Sequence, residues 1–386
     1  MLDLRRAALP RTIFCALIAA ACLLCAAVLD DASARRRGER YYPSIGTRLN
    51  ANTVYVISGN LNATYISIAY DLSAVLDDGD NLRILPVIGK GGGQNIKDVR
   101  FLKGVDVGIT QAPLLKLFQK NNTIGPLQDQ IVYIARLFNE EMHVIVRAES
   151  GINSIKDLNG KKVNFSDIGS GTQLSTRDIF ARLGIKATEV NMGQADAFEA
   201  LKKGEIAATV LIAGKPTGST SKLRAADGFR ILPVPYTKEL QDDYLPTTLT
   251  HADYPNLIEQ GHDIDAVAVG AVLIAYNWPT DTDRYRRIAK FVEAFFPRLE
   301  EFKRPPRHPK WREANLSATV PGWKRFPAAE EWVKKHRSMT AEPKTRQDFE
   351  RFLASDSSGI RASVTPEERE RLFEKFIEWR RTHGAQ

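Results

Sequence analysis

Apolar and polar residues alternate over 54–58, and apolar residues then fall at Ile66, Ala69, Leu72, Val75 and Leu76. The change of period from two to 3.6 predicts a strand, a loop over Gly59-Asn60-Leu61-Asn62-Ala63, and a helix over 64–76. The same unit returns twice. A strand over 82–87 leads through a glycine-rich loop to a helix from 95 to about 102. A strand over 105–109 leads through Thr110-Gln111-Ala112 to a helix containing Leu114 and Phe118. Three strand-loop-helix units in succession predict a parallel sheet with both faces covered. Ligands of such sheets sit beyond the carboxyl ends of the strands, so the Gly59, Gly91 and Gln111 loops should share one rim.

A strand over 142–146, bounded by charges, opens a second series: strand 163–165, helix 174–183, strand 188–191, helix 195–202 and strand 207–212. The loop Ala213-Gly214-Lys215-Pro216-Thr217-Gly218 follows. Residues 266–276 are almost wholly apolar and predict a strand returning to the first lobe, followed by an amphipathic helix over 283–302. Two crossings between lobes, near 141–147 and between about 249 and 267, make a hinge. The expected domains are lobe 1 from 50–142 plus 267–303, lobe 2 from 143–252, and a C-terminal helical extension over 304–386. In that extension proline, charge and tryptophan dominate. Helices are expected at 328–337, 346–353 and 366–381, the last opened by a Thr365-Pro366-Glu367-Glu368 start with Thr365 as N-cap. Trp278, Trp311, Trp323 and Trp332 all fall in the last third and are read as core or interface anchors for this extension, which should pack on the outside of a lobe.

The first 34 residues carry Arg5, Arg6 and Arg11, an apolar run over 13–29, and Ala32-Ser33-Ala34. This is the pattern of a secretory signal peptide with a small-residue cleavage site, so the mature chain should start at Arg35 in the periplasm. The run also approaches the length of a short span, and an uncleaved N-terminal anchor is the alternative. The only cysteines, Cys15, Cys22 and Cys25, lie in that run. The mature chain therefore has no disulfide, zinc-thiolate site or cysteine nucleophile. About 350 mature residues suffice for two cores. The net charge of +8 is spread along the chain, and its densest basic stretch, 303–312, is broken by Pro305, Pro306 and Pro309. No aromatic-interleaved basic motif points to nucleic acid.

The stretch Lys161-Lys162-Val163-Asn164-Phe165-Ser166-Asp167-Ile168-Gly169-Ser170-Gly171-Thr172 reads as a strand breaking into a helix N-terminus. Such a turn offers unpaired backbone N–H groups, hydroxyls from Ser170 and Thr172, and the positive end of a helix dipole. Together these can hold a carboxylate. The plainer alternative is a capped helix start. The two separate by mutation: Thr172→Val should weaken binding more than stability if the hydroxyl serves a ligand.

Several ordered blocks resemble one family. Thr64-Tyr65 is similar to a G-T-Y-Y segment, Gly91-Gly92-Gly93-Gln94-Asn95-Ile96 to Gly-Ser-x-x-Asn-Leu, and Val107-Gly108-Ile109-Thr110-Gln111 to D-L-G-L-V-Q. Glu141-Met142-His143-Val144-Ile145-Val146-Arg147 resembles E-x-x-H-V-V-V-R with a residue dropped, and Val163 to Thr172 resembles V-N-V-G-x-x-G-S-G-T. Ala268-Val269-Gly270-Ala271-Val272-Leu273 resembles the returning strand. Over about 54–303 the chain therefore resembles the TAXI-type solute-binding proteins of TRAP transporters. The resemblance implies the two-lobed α/β periplasmic-binding-protein fold, type II-like, and a small organic acid or amino acid as ligand. It also implies a TRAP-type membrane permease as partner, with no cofactor or metal, and a monomer is expected. Ligand contacts are expected from Thr64, Tyr65, Gly92, Gln94, Gln111, Ser170, Gly171, Thr172 and Lys215. Two departures bear on the ligand: the first loop lacks the paired glycines usual before Thr-Tyr, and Lys215 stands where family members vary.

Glu140, Glu141 and His143 cluster at the expected hinge, with Glu141 and His143 on one face of the strand. Hinge hydrogen bonding, recognition of a ligand amine by Glu141, and metal binding are the roles open to them. Lys90 and Lys215 are either second anion contacts or solvated surface cations. An enzyme on the same fold would need an activated nucleophile, and neither Ser166 nor Ser170 lies in a G-x-S-x-G elbow. A ligand sensor that docks on a membrane receptor is the alternative function, motivated by the long extension.

Overall fold

Val54 and Val56 point inward from β1 (Thr53–Ile57), and both are fully buried, as the alternation requires. The computed structural model describes residues 45–47, 49–61, 63–122 and 124–336. The signal-peptide segment and the expected helices at 346–353 and 366–381 lie outside them. By contacts the chain divides at Asn52. In the first unit, 45–47 and 49–51 are helical; everything below concerns the unit that starts at Thr53.

The three predicted units are present in order. Strand β1 leads to α1 (Thr64–Leu76), β2 (Arg83–Val87) to α2 (Gly92–Phe101), and β3 (Val107–Gln111) to α3 (Ala112–Asn121). A long strand, β4 (Ile131–Arg147), precedes the second series: β5 (Lys162–Asn164), α4 (Gly171–Arg182), β6 (Thr188–Val190), α5 (Gln194–Lys203) and β7 (Ala208–Ala213). Then come β8 (Phe229–Leu232), β9 (Leu245–Leu249), β10 (Ile264–Tyr276), α6 (Asp283–Phe295) and α7 (Pro327–Lys335).

All ten strands belong to one sheet ordered β2-β1-β3-β10-β4-β7-β5-β6, with β8 added to β4 and β9 to β10. The β1, β2 and β3 pairs are parallel, as are β5 with β6 and with β7. Strands β4 and β10 run antiparallel to each other through both halves. The second half of β4 pairs with β7, from Glu141 opposite Ala213 to Val146 opposite Ala208. Strand β10 starts against β9 and ends against β3. The two crossings are therefore neighbouring strands, and the β10–β4 register shifts between Gly270 and Val272. This is the two-lobed α/β periplasmic-binding-protein architecture.

Each lobe carries apolar clusters on both faces of its part of the sheet. In lobe 1, α1 and α6 cover one face and α2 and α3 the other. In lobe 2, the cluster around Val163, Ile179 and Phe180 lies opposite the one around Ala197, Leu201 and Tyr254.

Three sequence expectations need correction. The strand foreseen over 142–146 begins well before Met142, at Ile131. Its first half is buried on both faces, so the periodicity lacked a polar side. The helix foreseen over 283–302 ends at Phe295, where a 3-10 turn, Phe296–Arg298, carries Pro297 and a short helical turn, Leu299–Phe302, follows; proline supplies no N–H to continue the ladder.

The third concerns the boundary at 304. Trp311 is fully buried among Phe295, Phe302 and the lobe 1 cluster. Its indole N–H donates to Asp71 Oδ2 of α1 at 2.9 Å. The backbone N–H groups of Asn315 and Phe326 donate to the carbonyls of Arg136 and Tyr133 on β4. Residues 308–329 thus complete the core of lobe 1 instead of lying outside it. The polar, proline-rich texture hid this because few of these side chains carry the burial.

Candidate functional site

Five helices begin where a strand of the parallel series ends, and the turns before them gather at one cleft. Ala63 before α1, Gly91 before α2, Gln111 before α3, Ser170 before α4 and Gly193 before α5 all line a cavity of about 530 Å³ between the lobes. The first N–H groups of each helix lack intrahelical partners, and each helix adds a positive dipole end. Of the five N-caps only Ser170 makes a side-chain cap, accepting from the Gln173 N–H at 3.1 Å. Around this rim stand apolar Leu61, Ile88, Phe198 and Leu211 and the exposed cations Lys90 and Lys222. The cavity suits an anion with an apolar body.

The lobes meet at the cleft. The Gln94 N–H donates to Gly169 O at 3.0 Å, Ser175 Oγ donates to Gln111 Oε1 at 2.6 Å, and Thr64 Oγ1 donates to Gly214 O at 3.1 Å. At the outer edge Lys116 Nζ lies 2.6 Å from Asp243 Oδ1. Ser166, at the cavity wall, holds a left-handed φ of 68°. Asn164 Oδ1 accepts its N–H and Asn191 Nδ2 donates to its carbonyl, side-chain support that offsets a strain of about 1–3 kcal/mol.

The structure brings Tyr65, Gly92, Gln111, Ser170, Gly171 and Thr172 together on the cavity wall. It places Thr64, Gln94 and Lys215 elsewhere. Thr64 is engaged with Gly214 across the lobes, and Gln94 Nε2 donates to Asp98. Lys215 Nζ is held by Asp253 and the Thr248 carbonyl. Thr172 Oγ1 accepts from the Ile212 N–H at 3.0 Å and faces the Ile212 carbonyl at 3.3 Å, so its hydroxyl fastens α4 to β7.

Three buried ionisable groups stand on β4 where it passes from one lobe to the other. Glu140 lines the cavity and is 3% exposed. Its Oε2 accepts from Tyr65 OH at 2.5 Å and from Gln111 Nε2 at 3.0 Å. Burial drives its carboxyl up to about 8, against the pull of those two donors. Glu141 points to the other face, where Oε1 lies 2.6 Å from Lys310 Nζ and Oε2 accepts the Lys215 N–H at 2.8 Å. Burial pushes the Glu141 carboxyl up as well, and Lys310 opposes the rise.

His143 is fully buried, and desolvation lowers it to about 4, so it is neutral at pH 7. Its Nε2 lies 2.7 Å from Tyr254 OH and its Nδ1 3.2 Å from Leu211 O. The Thr217 N–H donates to the same Tyr254 oxygen. Nδ1–H toward the carbonyl and Tyr254 O–H toward Nε2 satisfy every member. Among the described residues no group of three or more His, Cys, Asp or Glu side chains is placed to hold a metal ion.

Sequence reasoning missed the orientation of Glu140 and the role of Lys310. Strand alternation separates Glu140 from Glu141, but which one faces the cleft depends on how β4 sits between β7 and β10. Lys310 lies 169 residues from its partner, and no local signal marks it.

The fold, with this cleft between its halves, is of the two-lobed periplasmic-binding-protein class. The chain belongs to the NMT1-like family, whose sequence profile matches residues 57–319, from the end of β1 to beyond Trp311. Among solved structures it is similar to a periplasmic transporter at 13% identity, covering 75% of this chain and 94% of that one with a TM-score of 0.45. It is also similar to the substrate-binding protein of an amino acid ABC transporter, at 14% identity, 65% and 94% coverage and a TM-score of 0.37. A third is a Xanthomonas citri protein bound to ATP, at 11% identity, 86% and 99% coverage and a TM-score of 0.42.

Proposed function

We propose that this chain is an exported periplasmic receptor that captures a small carboxylate-bearing solute, an amino acid or organic acid, between its lobes. The convergence of five helix N-termini on one cavity carries the reading, because unpaired N–H groups and dipole ends favour a carboxylate without a dedicated arginine. Gly171 and Thr172 of α4 and Gly92 of α2 present backbone N–H groups from opposite lobes, so a bound carboxylate favours closure. Lys90 and Lys222 draw anions to the mouth. The blocks resembling TAXI-type receptors support delivery to a TRAP-type permease.

Thermal-shift screening of the chain from Arg35 onward against amino acids, dicarboxylates and other small acids tests the capture. A ligand at a hundred times its dissociation constant should stabilise by about 2.7 kcal/mol. Stabilisation by sugars or polyamines alone, with no acid effective, would refute the carboxylate assignment. Delivery is tested by uptake of the stabilising acid in cells lacking the chain: unchanged uptake would remove the permease from the account.

A further inference from the structure

Glu140 is built to be a carboxylate and lacks a counter-ion. Tyr65 and Gln111 both donate to its Oε2. The Gln111 amide is oriented for this, because its Oε1 accepts the Ser175 hydroxyl. Two aimed donors stabilise the charged form. Yet the nearby cation behind the strand, Lys310, is held by Glu141 and Glu313. Oε1 of Glu140 makes no hydrogen bond among the described residues, and the residue lines the cavity.

We propose that the solute brings the missing cation: an ammonium group that pairs with Oε1 of Glu140, while its carboxylate lies at the helix N-termini. Glu140 is then the residue that selects amino-acid zwitterions over plain carboxylic acids of the same shape. The inference rests on the carboxylate reading of the cavity. The charged and titratable groups around Glu140 fit this role: Tyr65 on α1 and Gln111 at the end of β3 donate to it, while Glu141 and Lys310 neutralise each other behind the strand. Lys90 and Lys222 line the rim and make no ion pair among the described residues.

A proton balance follows. Near pH 7 the empty site holds Glu140 mostly protonated. When the ammonium pairs with the carboxylate, that proton leaves to solvent, and up to one proton is released per zwitterion bound. A plain acid, which brings no cation, leaves the proton in place.

Titration calorimetry with matched pairs that differ only by the ammonium tests this: leucine against 4-methylpentanoate, and aspartate against succinate. Run at pH 7 in two buffers of different protonation heat, it also counts protons. In a pair that binds, the amino acid should bind about tenfold to a hundredfold more tightly and release protons. Glu140→Gln should reduce that ratio to a few-fold and abolish the buffer dependence. Equal binding of both members, without proton release, would overturn the role of Glu140 and leave the carboxylate reading standing. Equal loss of both acids in Glu140→Gln would make Glu140 a structural residue. Binding of neither acid in either pair by the folded chain would count against the carboxylate reading itself, and the inference falls with it. If Glu140→Gln does not fold, the pair ratio and proton count of the unmodified chain decide the matter.

Discussion

Gly92 at the start of α2 and Gly171 at the start of α4 touch across the cleft: a Cβ on Gly92 would lie 2.2 Å from both the Cα and the N of Gly171. Neither backbone can retreat without parting the lobes. Gly92 also has a φ of +46°, which costs an L-residue roughly 1 kcal/mol. Gly92→Ala should therefore lower stability by about that amount while weakening ligand capture at least tenfold. Small-angle scattering with the stabilising acid checks this; compaction like that of the unmodified chain would contradict it.

Thr172→Val leaves the Ile212 N–H without its acceptor. A buried donor stripped of its partner costs about 1–3 kcal/mol. The expected result is a loss of folding stability comparable to the loss of binding, since the hydroxyl serves α4 and β7 before any ligand. Urea denaturation beside titration measures both; intact stability with lost binding would return the hydroxyl to the ligand.

Lys310 is 2% exposed and shared between Glu141 and Glu313. Lys310→Met strands a buried carboxylate, and removing one partner of such a pair costs about 3–5 kcal/mol. Adding Glu141→Gln should recover much of that loss. A double variant no more stable than Lys310→Met would show that the pair is not coupled.

Glu140 and His143 give the empty protein opposed pH slopes. Glu140 rises from 4.5 to about 8 on folding, so the native state keeps a proton the unfolded chain has lost. Its contribution is complete below about pH 4.5 and falls away as pH rises toward 8, by at most about 1.4 kcal/mol per unit. His143 falls from 6.5 to about 4; its contribution is complete above pH 6.5 and is lost as pH falls toward 4. The stability difference between the unmodified chain and Glu140→Gln, measured by denaturation from pH 5 to 8, should therefore shrink steadily. A flat difference would mean that Glu140 titrates normally.

Deleting the chain after Arg304 removes Trp311 and the segment paired with β4. Trp311→Ala alone should cost about 3–5 kcal/mol, and the deletion should leave lobe 1 without a cooperative unfolding transition. A sharp calorimetric transition in the deleted chain would refute this.

The helices and strands of the two parallel series were legible because alternation and helical spacing each sit beside a glycine-bearing turn, as at Gly59 and Gly169. The first half of β4 was not, since burial on both faces removes the period. Strands β8 and β9 escaped notice because Phe229–Leu232 and Leu245–Leu249 are short and pair with distant partners. At the cleft, the turns at Gly91, Gln111 and Ser170 could be placed from topology alone. Side-chain direction could not: Lys215 looked like a rim cation in a glycine-bearing loop, but Asp253, 38 residues on, holds it.

The bond from Trp311 to Asp71 spans 240 residues, and it sets an order of events for the growing chain. Lobe 2 receives α4, α5 and β5 to β9 from one continuous stretch, and with β10 its strands are all made before the last segment. Lobe 1 waits for both ends, because α1 keeps an unmatched carboxylate until the last third arrives. Distant closures are slow. The final segment therefore acts as a completion clasp, and a chain interrupted before it holds one finished lobe and one that has yet to consolidate.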